Sequence, residues 1–278
     1  MDRSLTDGYQ ADSIRIILGF TVLRGQTEPR WLHEFNPGNG SLDYAQHSHA
    51  ISPLYAPHGD TSPLRGRCPD TTYRILADMH DLTRTFLARW THMGNMFASG
   101  ADPQLASYDA HMQQIYTRLL MRPSVEDETT PDWVYECCRL TALIYCRSIV
   151  HRLPLSDSAN VLHAGSLGAD ATHITLISAL HNALERTDRR GFWGEMSGAL
   201  FWVTLVGGAA SWPGTGSSYA VGQETQIFTA WVRKCFALQS IRNCFSNGFE
   251  NASAVVEAQR MMLQVQHLIT LKNESSQH

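Results

Sequence analysis

FWGEMSGALFWVTLVGGAASW, residues Phe192 to Trp212, carries a single charge, Glu195, in twenty-one positions. Met196, Leu200, Val203 and Val206 recur at steps of three to four, and Phe201, Trp202 and Leu205 fill the opposite side, so the segment is apolar nearly all round. A helix of that kind belongs at the centre of a bundle, and the stretch predicts a buried helix over residues 193–208, stopping at Gly207-Gly208. A membrane span needs roughly 20 apolar residues. The uncharged run from Met196 to Trp212 is seventeen residues long, contains three glycines, and has no tight basic flank, so it reads as core and not as a span.

Working outward, the flanking chain supplies the helices that such a core needs. Residues 12–23, DSIRIILGFTVL, form an apolar run that Asp12 can cap and Gly25 can end. From Pro29 to Pro69, prolines, glycines and His33, His47, His49 and His58 break any period, which predicts a long loop. Asp70 can cap a helix bearing Leu76, Met79, Phe86 and Trp90, ending at Gly100. Asp102-Pro103 and Thr130-Pro131 are cap-then-proline signals for two more helices, 102–120 and 130–150. Ile174, Ile177, Leu180 and Leu184 mark the next; residues 224–245 and 253–271 close the set, with Ser253 as a cap. Strand patterns and repeats are absent from the sequence. The fold class is all-α: a compact bundle of seven or eight helices about residues 193–208, preceded by an N-terminal region 1–69, with the helical domain spanning 70–272.

A chain of 278 residues with 43% hydrophobic content can bury a large core. The formal charge is −4, and only Lys234 and Lys272 of the 22 basic residues are lysines, with the arginines dispersed. Duplex binding requires a basic face making many phosphate contacts, and none is readable, so direct nucleic-acid binding is not expected. Cys68, Cys137, Cys138, Cys146, Cys235 and Cys244 show no C-x-x-C spacing and read as reduced, intracellular core thiols.

The search for chemistry yields residue types without a motif. His47-x-His49, with His58 and Cys68 following, has ligand types for zinc but no anchoring pair, and reads as a metal-free loop; no cofactor is expected. Cys137 and Cys138 point to different sides of one helix and read as inert. Polar groups on otherwise apolar helices are Glu136, Arg139, His181 and Glu195, which in an interior must pair or line a cavity. They are the candidates for proton transfer if the chain is an enzyme; a structural Arg–Glu pair is the plainer account. Trp133, Tyr145, Trp193 and Trp202 can wall an apolar pocket for a hydrophobic small molecule, or be plain core.

Two stretches carry a resemblance. E-x-C-R-L-x-A-L-I-Y, here Glu136 to Tyr145, followed by W-G-x-x-x-G-x-L-x-W-x-x-x-V-G-G, here Trp193 to Gly208, resembles the fungal-specific transcription factor domain that accompanies zinc-cluster DNA-binding regions. Leu76 to Trp90 is similar more weakly, and the likeness covers residues 70–245. The resemblance implies an all-helical regulatory domain of a fungal regulator, often of a secondary-metabolite gene cluster. It implies a homodimer, or a heterodimer with a related regulator, in the nucleus or cytoplasm. The six closely spaced cysteines of the family's zinc cluster are not matched, so DNA binding does not carry over to these residues. Three readings follow: a regulatory domain acting through partners, a small-molecule-binding protein or enzyme of secondary metabolism on the same fold, and a helical scaffold without a ligand.

Overall fold

The computed structural model describes residues 3–26, 48–94, 102–125, 131–163, 174–187, 193–212, 223–248 and 252–275. Among these residues are nine α-helices and no strand: α1 (Arg3–Arg24), α2 (Asp70–Gly94), α3 (Pro103–Leu120), α4 (Trp133–His151), α5 (Leu155–Ala159), α6 (Leu176–Glu185), α7 (Ser197–Ala210), α8 (Gln223–Gly248) and α9 (Ala252–Ser275). The chain is all-α, as the periodicities require.

Two neighbouring helices, α4 and α7, form the middle. On one side α2 and α3 pack against α4; on the other α1, α8 and α9 surround α7, and α6 bridges the two groups. Every residue of α7 from Gly198 to Ala210 is buried. Its start differs from the sequence reading. Gly194–Met196 is a single 3-10 turn, and the α-helix begins at Ser197, whose hydroxyl donates to the His49 carbonyl at 3.1 Å. Its end differs too: the helix runs through Gly207-Gly208 to Ala210. These glycines serve as contact surface, because a Cβ on Gly207 would lie 2.4 Å from the Phe236 ring and one on Gly208 would lie 2.1 Å from Leu23.

Residues 48–64 lie across the beginning of α7 as three short 3-10 turns, with Ala50, Ile51, Leu54 and Leu64 buried. α1 reaches back to Arg3, further than the apolar run 12–23 implied; Leu18 and Val22 join the same core as α7, and Leu23 lies against Gly208. It ends as expected at Gly25, in the left-handed region at φ 61°. There Gly25 N–H donates to Val22 O and Gln26 N–H to Thr21 O, the paired closure that glycine permits. Two glutamines of α9 hold α1 in place: Gln259 donates to Arg15 O at 3.0 Å and Gln266 to Val22 O at 3.1 Å. Donors and acceptors are each seven residues apart in the same direction, so α1 and α9 run parallel.

Smaller departures have local causes. The α4 cap is Asp132 and not Thr130, because its carboxylate accepts both Val134 N–H and Tyr135 N–H at 3.0 Å. Asp70 and Ser253 sit inside their helices, and Asp70 pairs with Arg74 one turn on. α2 ends at Gly94, ahead of Gly100, which lies outside the described residues. Thr175 caps α6, leaving Ile174 ahead of the helix, and α5 occupies a stretch that the sequence reading left as connection. α4 ends with Arg152 at φ 56°, an unfavourable conformation for a residue with a Cβ. Its guanidinium lies 5.2 Å above the Phe86 ring and 5.5 Å above Trp90, contacts that offset that cost.

α2 and α3 are laced together antiparallel by charge. Asp78 meets Arg118 and Arg122, Asp81 meets His111, Arg89 meets Asp109, and His92 meets Asp102. Asp102 is also the α3 cap, accepting Gln104 N–H at 2.8 Å. That hydrogen bond first, and the one from His92 second, hold its carboxyl below the ordinary aspartate value.

Two predictions follow from these contacts. A methyl group on Gly198 would fall 2.2 Å from the Ala50 carbonyl oxygen, a backbone atom that cannot swing aside. Gly198→Ala should therefore destabilise the chain by about 3 kcal/mol in urea unfolding. Gly194→Ala, where nothing lies within 4 Å, should leave it nearly unchanged. At Asp102 the folded carboxyl ionises more readily than the unfolded one. Its contribution is present above the ordinary value of about 3.9 and is lost as pH falls through the lower folded value. Asp102→Asn keeps the cap and removes the charge, so the stability gap between native and variant chains should close as pH drops below about 4.

Candidate functional site

The first two turns of α4 place Glu136 and Arg139 three residues apart on one helical face. The pair is bidentate: Arg139 Nε donates to Glu136 Oε2 at 2.8 Å and Nη2 to Oε1 at 2.6 Å. Glu136 is 2% exposed and Arg139 6%, so both charges are out of water and each is the other's counter-ion. The carboxylate also accepts Val125 N–H and the Ser124 hydroxyl, both at 3.3 Å. Beside it the Tyr135 hydroxyl donates to Pro123 O at 2.9 Å. The site staples residues 123–125, which follow α3, onto the start of α4. A carboxylate so committed serves as a structural acceptor.

The other two polar candidates lie elsewhere. His181 is buried on α6, its ring edge-on to Phe236 of α8 with centroids 6.2 Å apart. Glu195, expected on a buried helix, stands in the 3-10 turn ahead of α7 with its side chain 71% exposed, 3.6 Å from Arg67. The interior reading of Glu195 is thus overturned: a turn, unlike a helix buried on all sides, can aim one residue at solvent. Of the four groups the structure joins two.

The aromatic candidates divide in the same way. Tyr145 and Trp202, both fully buried, meet edge-to-face at 6.2 Å and 88°, and the Tyr145 hydroxyl shares a 2.9 Å hydrogen bond with Thr83 of α2. Burial, which outweighs that bond, pushes the phenol well above its usual value and keeps it neutral. Trp133 is half-buried beneath Arg186, whose guanidinium lies 4.4 Å from the ring centroid. Trp193 is 1% exposed and makes no ring contact with the other three among the described residues. Tyr145 and Trp202 meet as packing between α2, α4 and α7.

A small cavity does exist between α1, α7, α8 and α9, bounded by Arg15, Gly19, Phe201, Ser240, Cys244 and Gln259. With about 10 Å³ of room it is the size of one water molecule and far below a ligand site. None of the four aromatic candidates lines it. Gln259 escaped the sequence reading, because on α9 it stands among other polar residues, Glu257, Arg260, Gln264 and His267, and only its burial sets it apart.

Among the described residues no group of three His, Cys, Asp or Glu side chains is placed to hold a metal ion, and no helix is long and apolar enough to cross a membrane. His47 lies outside the described residues. Cys68 is half-buried, its thiol pushed up to about 11 by burial first and then by Asp132 and Asp70. Burial drives the Cys137 and Cys138 thiols well above their usual value, which leaves them protonated and unreactive. Comparison with protein-family models, with curated proteins and with solved structures finds no match to this chain.

Removing one partner of the α4 ion pair tests its role. Glu136→Ala leaves Arg139 buried and uncompensated, and should cost about 3 to 5 kcal/mol in urea unfolding. The double variant Glu136→Met with Arg139→Leu should recover most of that loss.

Proposed function

We propose that this chain is a regulatory helical domain of the kind that accompanies zinc-cluster DNA-binding regions in fungal transcription regulators. It works through protein partners, as a homodimer or a heterodimer with a related regulator, in the nucleus or cytoplasm of a fungal cell. The observation that carries the reading is that its two resembling stretches are one structural unit. Glu136–Tyr145 lies on α4 and Gly198–Gly208 on α7, the two helices pack together, and Tyr145 meets Trp202 across them. The residues of the shared pattern have architectural tasks: Glu136 and Arg139 pair, Gly198 admits the Ala50 carbonyl, and Gly207 and Gly208 admit Phe236 and Leu23.

The competing reading, an enzyme or small-molecule-binding protein on the same fold, receives less support. Its proposed acid–base groups are split between a closed ion pair, a histidine packed on Phe236 and an exposed glutamate. A fusion of the chain to an unrelated DNA-binding domain, assayed on a reporter gene in fungal cells, tests the regulatory reading. A change in reporter output relative to the DNA-binding domain alone is expected. No change, with the fusion present at normal abundance, overturns the reading.

A further inference from the structure

Charge is unevenly divided between the two sides of the bundle. A dense cluster of ion pairs ties α2 to α3 and the residues that flank it. On α1 and α8, residues 16–26 and 229–245 contain Arg24, Arg233, Lys234 and Arg242 and no carboxylate, in a chain whose net charge is −4. Large apolar side chains are exposed on the same α8 stretch, Trp231 at 59% and Leu238 at 68%, and α1 exposes Phe20 at 43%. Trp231, Lys234, Leu238 and Arg242 succeed one another at steps of three and four, so anchors and cations alternate along one stripe. Trp231 and Leu238 stand about 10 Å apart along the axis. Arg24 and Arg233 extend the positive field, one on α1 and one on α8, 5.5 and 5.0 Å from the Trp212 ring.

We propose that this face of α8 is the docking site for an acidic amphipathic helix of a partner protein. Two apolar residues one heptad apart would cover Trp231 and Leu238, and carboxylates between and beyond them would meet Lys234 and Arg242. Other occupants fit the pattern less well. Lys234 and Arg242 lie four residues before and after Leu238, so two copies packed antiparallel about Leu238 would set cation against cation. A helix lying in a membrane interface separates its apolar and basic faces, whereas this stripe mixes them. Nucleic acid demands more phosphate contacts than these few cations supply.

This surface stands apart from the regulatory reading, and the two tests fail separately: the reporter assay reads regulation, and a binding assay reads the face. The probe is a fluorescein-labelled synthetic helical peptide with leucines seven residues apart and glutamates three and four positions after each, compared with the same peptide bearing lysines. Fluorescence anisotropy should show binding of the acidic peptide alone, weakening as salt rises. Lys234→Glu with Arg242→Glu should lower the affinity about tenfold or more. Leu238→Ala should also lower it, by about fivefold or more. These side chains are exposed, so both variants should keep the native circular dichroism and urea midpoint. Failure of the acidic peptide to bind at millimolar concentration overturns the proposal, as does undiminished binding by the variants. It is equally overturned if phosphatidylserine vesicles or a single-stranded oligonucleotide bind this face in place of the peptide, or if sedimentation reveals a dimer that Leu238→Glu dissociates.

Discussion

Close approach to α7 is the constraint from which the rest of the arrangement follows. A helix buried on every side must accept neighbours from all directions, and side chains of ordinary size would hold them too far away for three of the contacts made here. Gly198 receives the backbone of Ala50 and Ile51, Gly207 the ring of Phe236, and Gly208 the side chain of Leu23. Each of these glycines costs helix stability, of the order of 1 kcal/mol relative to alanine. Packing from the loop at 48–64, from α8 and from α1 offsets that cost, and the three elements are thereby fixed against the same fourteen-residue rod. Once α7 is placed, α4 has one side for it and the other for α2 and α3.

Much of this architecture was legible in the residues. Uninterrupted apolar character on α7, and stripes on α2, α4 and α8, follow from periodicity, which reports burial directly. The Asp102-Pro103 cap was readable because its chemistry is local. What escaped depends on contacts distant in sequence. Gly207-Gly208 looked like a helix stop because glycine normally is one; only Phe236 and Leu23 explain why the helix continues. Glu195 looked buried because its neighbours are, and the 3-10 turn that exposes it leaves no mark in composition. For the candidate site, the plainer Glu136–Arg139 reading anticipated the observed pair, since three residues on a helix bring the two charges together. The aromatic residues could not be sorted into pocket and core from sequence, because that depends on where the rings meet.

Electrostatics divides the molecule along a different line from packing. Around α2 and α3, acids and bases pair across the two helices. On α1 and α8 the cations Arg24, Arg233, Lys234 and Arg242 stand without carboxylates in their own segments, beside exposed Trp231 and Leu238. Matched charge fixes the relative position of two helices already in the fold; unmatched charge beside apolar surface favours association with something outside it.

The parallel docking of α1 on α9 joins segments far apart in the chain. The hydrogen bonds from Gln259 to Arg15 and from Gln266 to Val22 each span 244 residues. Leu18 and Val22 are therefore synthesised long before the helix that covers one side of them. Until α9 is made, that apolar face of α1 depends on provisional shelter, either within the growing chain or from a chaperone. Docking α9 on α1 is a long-range contact whose entropy cost makes it slow.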